Sequence, residues 1–204
     1  MKLEDWLRDL SAKQPTPGGG AAAGLAASAA AALVSMVSNY TTGPKWQDRE
    51  TEMHMVAEQA ANLCQRGLDL MAADEEAFKA VGAAYALPKD TDEDKSARQT
   101  AIQEAVKAAA EPPKQVAIVA TEVITLAANL VTAGNPNVIS DVAVAASFAR
   151  AAIEAAIVNI EINAVLLQDP TAKAELQSAV EACESALAQA DAVVTAVRQR
   201  IAGA

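Results

Sequence analysis

The side chains in this 204-residue sequence best suited to moving a proton are Asp141, Lys89 and Asp74. Asp141 follows Ser140 and precedes the apolar run Val142 to Ala146, which sets a carboxylate beside low-dielectric surface and suits it to carrying a proton. At the start of a helix, Ser140 or Asp141 also serves as a plain cap. Lys89 follows Leu87-Pro88 in a tight turn that aims a cation from the end of a helix, where a dry pocket would let the amine act as a proton donor. Asp74, Phe78 and Tyr85 fall on one helical face, either as a carboxylate beside an aromatic platform for a flat ring or as a core seam with a polar edge.

Ligand-holding groups are expected at a second kind of place, the tight junction between helices. Pro15-Thr16-Pro17-Gly18-Gly19-Gly20 leads into an uncharged Ala-rich stretch, so the first-turn N–H groups of Gly18 to Ala22 are expected to be free for a carboxylate or a ring carbonyl. The same run also reads as simple punctuation. Gly134-Asn135-Pro136-Asn137 is a comparable junction, and Arg98 and Lys95 are the cations near Lys89. Asn159 and Asn163, four apart on an apolar helix, need partners on a neighbouring helix, a second subunit or a ligand. About 27 Å of helix axis separates Asp141 from Asn159, so the two cannot share a small site within one helix.

Other chemistries lack their residues. His54 is the only histidine, Cys64 and Cys183 are isolated, and the glycine run is followed by no Lys-Ser/Thr pair, so a metal site, a Ser-His-Asp triad and a phosphate loop are not expected, nor is any cofactor. A formal charge of −10 offers no basic stripe for nucleic acid. Two isolated thiols point to a reduced, cytoplasmic protein.

These residues are to be positioned by helices. Hydrophobic content of 52% with only 3% aromatics, and abundant Ala, favours helix over strand. Breaks at Pro15, Gly43-Pro44, Leu87-Pro88, Glu111-Pro112-Pro113, Gly134 to Asn137 and Asp169-Pro170 divide the chain into six or seven helices. The predicted fold is all-α, one domain over residues 1–204, an antiparallel bundle whose last helix runs unbroken from Asp169 to about Ile201. Thr91, followed by three acidic residues, is a predicted N-cap, and Asp94 is spaced to pair with Arg98. Gly18 to Gly43 is long enough to cross a bilayer, but its Ala and Gly content and lack of a basic flank favour a buried bundle centre, with no membrane contact. Ala faces bury little area each, so a homodimer is expected to bury part of the Gly20–Val37 or the Asp141–Leu167 helix.

Taken together, Pro15 to Gly20, Ser35-Met36-Val37, Asp74 to Phe78, Leu87 to Thr91 with Glu93, Lys95 and Arg98, Gly134-Asn135, Ser140-Asp141, Asn159 and Asn163 resemble the cyclodeaminase/cyclohydrolase family of folate enzymes. Tyr85 to Arg98 and Asn137 to Asp141 are most similar to its stand-alone bacterial methenyltetrahydrofolate cyclohydrolases. The resemblance implies a dimerising helical domain that hydrolyses 5,10-methenyltetrahydrofolate to 10-formyltetrahydrofolate. The formimidoyl cyclodeaminase activity, which releases ammonia, is the alternative, disfavoured because no formiminotransferase segment accompanies the domain. A non-catalytic bundle that binds folate or a protein is the alternative of another class. The expected site has Asp141 as first choice of base and Asp74 as second, Lys89 as proton donor, and Pro17, Gly18, Gly19, Gly20, Phe78, Tyr85, Asn135, Asn137, Asn159 and Asn163 against the folate. Arg98 or Lys95 would meet its glutamate tail.

Overall fold

The structure is a computed structural model that describes residues 2–203, and among these residues it is helical with no strand. In chain order the helices are α1 (Leu3–Leu10), α2 (Gly19–Asn39), α3 (Glu50–Tyr85), α4 (Asp92–Ala109), α5 (Glu111–Ala133), α6 (Ile139–Leu166), α7 (Pro170–Glu181) and α8 (Cys183–Ala202), with short 3-10 turns at Pro44–Arg49 and Pro136–Val138.

Ala-rich helices can approach closely, and α2 and α3 do so through glycine. A Cβ on Gly24 would lie 2.9 Å from the Gly67 carbonyl oxygen, and one on Gly67 would lie 2.3 Å from Ser28 Oγ. The Ser28 hydroxyl sits between the carbonyls of Gly24 and Cys64, 3.0 Å from each, and Ser35 Oγ donates to Ala57 O at 3.2 Å. Each of these pairs moves forward on α2 as it moves back on α3, so the two helices are antiparallel. α2 also packs on α6 and α5, which makes it the bundle's centre. Around it Val34, Val37, Met53, Val123, Ile124 and Ile153 are fully buried.

Local signals explain most of the boundaries. Thr91 Oγ1 accepts from the Asp94 N–H and Asp94 Oδ2 from the Thr91 N–H, both at 3.1 Å, a complete capping box at the start of α4. Asp169 accepts from the Thr171 N–H at 2.9 Å at the start of α7. The break expected at Glu111-Pro112-Pro113 is present, with both prolines in the first turn of α5, where the missing N–H groups cost nothing; Ala110 stays in the right-handed helical region, so α4 runs almost directly into α5. One expectation is corrected. The expected single last helix is instead two, joined at Ala182, whose N–H still donates to Ser178 O at 3.0 Å.

Three helical stretches, Gly19–Asn39, Asp92–Ala133 and Pro136–Leu166, are long and apolar enough by length and composition to cross a membrane. All three take part in the bundle's buried clusters.

The glycine contact has a testable sign. Alanine normally favours a helix over glycine by about 0.5–1 kcal/mol. Gly82→Ala, with nothing within 4 Å of its new Cβ, is expected to stabilise the fold by that amount. Gly67→Ala is expected instead to destabilise it by about 1–3 kcal/mol through overpacking. Urea unfolding that gives both variants the same shift would contradict the close α2–α3 contact.

Candidate active site

The register of α2 leaves a space at one end of the bundle. Gly20 lies against Asp74 of α3, and Gly19 is the α2 residue near Asn159 of α6. At the other end, Asn135 Nδ2 donates to Tyr40 O at 2.7 Å, so α2 is antiparallel to α6 as well as to α3. α3 and α6 therefore run in the same direction, and beyond the first turn of α2 they face each other across a gap. A cavity of about 300 Å³ fills this gap, with Gly18 to Gly20 on its floor, Asp74, Phe78 and Val81 on one wall and Asn159, Ile162, Asn163 and Leu166 on the other. Pro15, Thr16 and Ala109 close its sides.

Asp74 is the cavity's carboxylate. The Ala21 N–H, one of the first-turn donors of α2, is hydrogen-bonded to it. Burial pushes its carboxyl above the ordinary carboxylate range, the Ala21 hydrogen bond opposes that rise, and the neighbouring Glu75 charge adds to it. A Cβ on Gly20 would fall 2.0 Å from Asp74 Oδ1, so the carboxylate occupies the volume of the missing side chain. The next residue fixes the approach: Glu75 Oε1 accepts from Trp6 Nε1 at 3.2 Å, which ties α1 to α3, and Trp6 packs with Ala21 and Met71 beneath the site.

This corrects the expectation for the glycine run. Gly18 is extended, with φ −133° and ψ −164°, a conformation open to any residue, and a Cβ on Gly18 or Gly19 meets no closer contact than Asn159 Nδ2 at 3.8 Å. The requirement for glycine falls on Gly20 alone. The expected free N–H groups are also partly used, since Ala22 donates to Gly18 O at 3.1 Å and Ala21 to Asp74.

Across the gap, Asn159 Nδ2 donates to Ala155 O at 2.8 Å, while Asn163 Nδ2 donates to Asn159 O at 2.8 Å and to Ala109 O at 3.4 Å. The amide nitrogens are thus held by backbone, and no donor among the described residues is hydrogen-bonded to either side-chain oxygen. The wall offers two acceptors and an apolar rim.

The remaining expected site residues are divided between two places. Pro17 is buried behind the cavity lining. Tyr85, Lys89, Lys95 and Arg98 lie past Val81 at the α3–α4 turn. There Arg98 donates to Tyr85 O through Nε at 3.2 Å and Nη2 at 3.1 Å, with its guanidinium 5.5 Å from the Tyr85 ring centre. Its partner is therefore not Asp94, and Lys95 pairs with Asp92 at 2.7 Å. Lys89 is exposed and does not line the cavity.

Asn135, Asn137 and Asp141 are at the opposite end of α6 and do not line the cavity either. Asn135 is committed to structure: its N–H donates to Thr41 Oγ1 and its Oδ1 accepts from the Asn137 N–H, both at 3.0 Å. Val138 is the N-cap of α6, without a side-chain hydrogen bond, so neither Ser140 nor Asp141 caps the helix. The structure thus brings Asp74, Phe78, Gly18 to Gly20, Asn159 and Asn163 together and leaves Asp141 apart.

Val81, Ile162, Leu166 and Thr16 were not expected in the site. Val81, seven residues after Asp74, and Leu166, seven after Asn159, carried a signal by sharing a helical face with an expected residue, and Thr16 by its place in the Pro15–Gly20 run. No cluster of three His, Cys, Asp or Glu residues able to hold a metal occurs among the described residues.

Residues 2–182 match the formiminotransferase-cyclodeaminase family model. The chain belongs to that family. A methenyltetrahydrofolate cyclohydrolase of Methylorubrum extorquens is 42% identical over 94% of this chain and 91% of its own length. The rat formimidoyltransferase-cyclodeaminase is 31% identical over 79% of this chain, which corresponds to 30% of that larger protein. The crystal structure of a formiminotetrahydrofolate cyclodeaminase from Thermotoga maritima superposes with a TM-score of 0.85 at 29% identity, covering 100% of this chain and 96% of that one. The family model ends where α8 begins, and the structural match extends over α8 as well.

A carboxyl held above its ordinary range in the folded state costs stability once it ionises. That cost is absent below the unfolded value and grows as pH rises through the folded one. Asp74→Asn is accordingly expected to raise Tm at pH 7 and to leave it unchanged at pH values below the ordinary carboxylate range. A variant with a lower Tm at pH 7 would contradict the environment described for Asp74.

Proposed function

We propose that this member of the formiminotransferase-cyclodeaminase family is a cytosolic, homodimeric methenyltetrahydrofolate cyclohydrolase, and that Asp74 is its proton-transfer group. The observation that carries the mechanism is a half-buried carboxylate fixed on the α2 N-terminus inside a cavity with an aromatic and two amide acceptors on its walls. The 42% identical cyclohydrolase matches along nearly its whole length, which favours that activity.

The bridging carbon of methenyltetrahydrofolate sits between two nitrogens that share a positive charge. The Asp74 anion stabilises that charge and accepts a proton as water adds to the carbon. In the adduct, the carbon–N5 bond breaks as Asp74 returns the proton to N5. The hydroxyl becomes the formyl carbonyl on N10 and its proton leaves to solvent. One carboxyl serves both steps, and a raised pKa makes it the better acceptor of the water proton. Exposed Lys89 is not required as the donor. A cavity of about 300 Å³ is at the small end for ligand sites and suits the fused rings. The benzoyl arm would extend over Phe78 towards Tyr85, and its glutamate towards Arg98 and Lys89.

Two assays separate this activity from the cyclodeaminase reading, which the Thermotoga structure supports by fold and name. The protein is expected to bleach the methenyl chromophore rapidly and to release little ammonia from formiminotetrahydrofolate; the reverse result would transfer the assignment. A folded protein inactive in both would support the non-catalytic bundle.

Asp74→Asn is expected to lower kcat for hydrolysis on the order of 10²–10⁴-fold while retaining the fold, as expected for loss of a general acid–base group. Single-turnover hydrolysis near the wild-type rate in that variant would contradict the role of Asp74.

A further inference from the structure

Asp74 lines the cavity, but the groups that govern its charge are held from outside. Burial acts on it most strongly, and two neighbours then act in opposite senses: the Ala21 N–H favours the anion, and the Glu75 carboxylate, one residue along α3, disfavours it. Both neighbours are held by Trp6. Its ring packs in one cluster with Ala21 and Met71, and its indole N–H donates to Glu75 Oε1 at 3.2 Å. Trp6 is 4% exposed and is the only buried residue of α1, with partly buried Leu10 packed beside it.

We propose that Trp6 and Glu75 are positioning residues for the hydrolysis: the indole N–H keeps the Glu75 carboxylate fixed beside Asp74, and that standing negative charge readies Asp74 to take the proton of the attacking water. This rests on the reading of Asp74 as the proton-transfer group.

The surroundings leave the Glu75 charge uncompensated. Among the described residues no Lys or Arg is paired with Glu75 or Asp74. α2 carries no charged residue, and Asp74 is the only charged residue lining the cavity, so α6 and the end of α4 present none there. On α1 and its flanks Arg8 is turned to Asp5 at 2.9 Å, and Lys2, Glu4, Asp9 and Lys13 are exposed. On α3 itself Lys79 pairs with Glu76 at 2.6 Å. Two adjacent carboxylates, one of them shielded and neither paired with a cation, work against the stability of the fold. Like charges set close together are one of the arrangements that raise proton affinity at a reacting group.

The choice of donor fits this role. A lysine or arginine would hold Glu75 equally well but would cancel its charge, whereas an indole N–H is a neutral donor. An unheld Glu75 would turn into water, where the high dielectric weakens its action on Asp74. Bonded to a buried ring, it stays at the edge of the site. Trp6 thereby joins the docking of α1 to the chemistry of α3.

Glu75→Gln separates the charge from the contact, because the amide oxygen still accepts from Trp6. In that variant the ¹³C NMR titration of the Asp74 carboxyl is expected to move to lower pH. The acid limb of kcat/KM is expected to move with it, and kcat above the limb to fall as the acceptor weakens. A purely structural tie would leave both midpoints in place. Trp6→Phe keeps a ring in the cluster and removes the N–H, so the Asp74 titration is expected to move in the same direction. Added to Glu75→Gln, it is expected to move the titration no further.

An unchanged Asp74 titration in folded Glu75→Gln would overturn the proposal, and additive shifts in the double variant would overturn the action of Trp6 through Glu75. Should Trp6→Phe fail to fold, exchange of the Trp6 indole N–H in the wild type decides that part: protection supports the hold, and rapid exchange overturns it. A limb that stays in place while the carboxyl titration moves would remove Asp74 from the reaction, and the role of Glu75 in it falls too. Should the wild type fail to act on the methenyl compound, the functional reading falls, and the titration still decides whether Glu75 acts on Asp74.

Discussion

The close contact of α2 with α3 is the constraint on which the rest of this structure depends. Because Gly24 and Gly67 let the two backbones touch, the antiparallel register between the helices is fixed. In that register the first turn of α2 arrives at Asp74. The same contact therefore sets the first turn of the bundle's central helix against Asp74, the one carboxylate among the described residues that line the cavity. A larger residue at Gly20 would take the volume that the Asp74 carboxylate fills. Packing and chemistry here are one arrangement.

The cost of that arrangement is visible in Asp74 itself. A carboxylate shielded from water is disfavoured as an anion, and a single helix N-terminal hydrogen bond only partly offsets the loss. The surrounding elements hold it in place regardless. Trp6 binds Glu75, Met71 and Ala21 pack below, and the apolar cluster of Ala84, Ile102, Val106 and Leu167 supports the far wall. A destabilised group kept rigid by its neighbours is what proton transfer near neutral pH requires.

Much of this was legible in the sequence where the signal is local. The Thr91 capping box, the breaks at proline and glycine, and the helical class follow from residue types within a few positions. The joint at Ala182 has no such mark; neither glycine nor proline occurs there, and Ala182 keeps a helical backbone and its hydrogen bond to Ser178. In the site, the face carrying Asp74 and Phe78 was readable from spacing. That Asp74 lines the cavity and Asp141 does not was not readable, because an apolar flank in sequence says nothing about which end of a bundle a residue reaches. Asn135 shows the same limit: an asparagine in a turn looks alike whether it binds a ligand or, as here, staples Tyr40 and Thr41 to the start of α6.

The central claim is that the Asp74 carboxyl on the cavity wall takes the proton from the water that adds to the bridge carbon and returns it to N5. Its most direct test is a ¹³C NMR titration of the Asp74 carboxyl in the free protein, set beside the acid limb of kcat/KM for methenyltetrahydrofolate hydrolysis. The account predicts that Asp74 titrates above the ordinary carboxylate range and that the limb has the same midpoint. An Asp74 that titrates in the ordinary range, or a limb that follows another group, would contradict it.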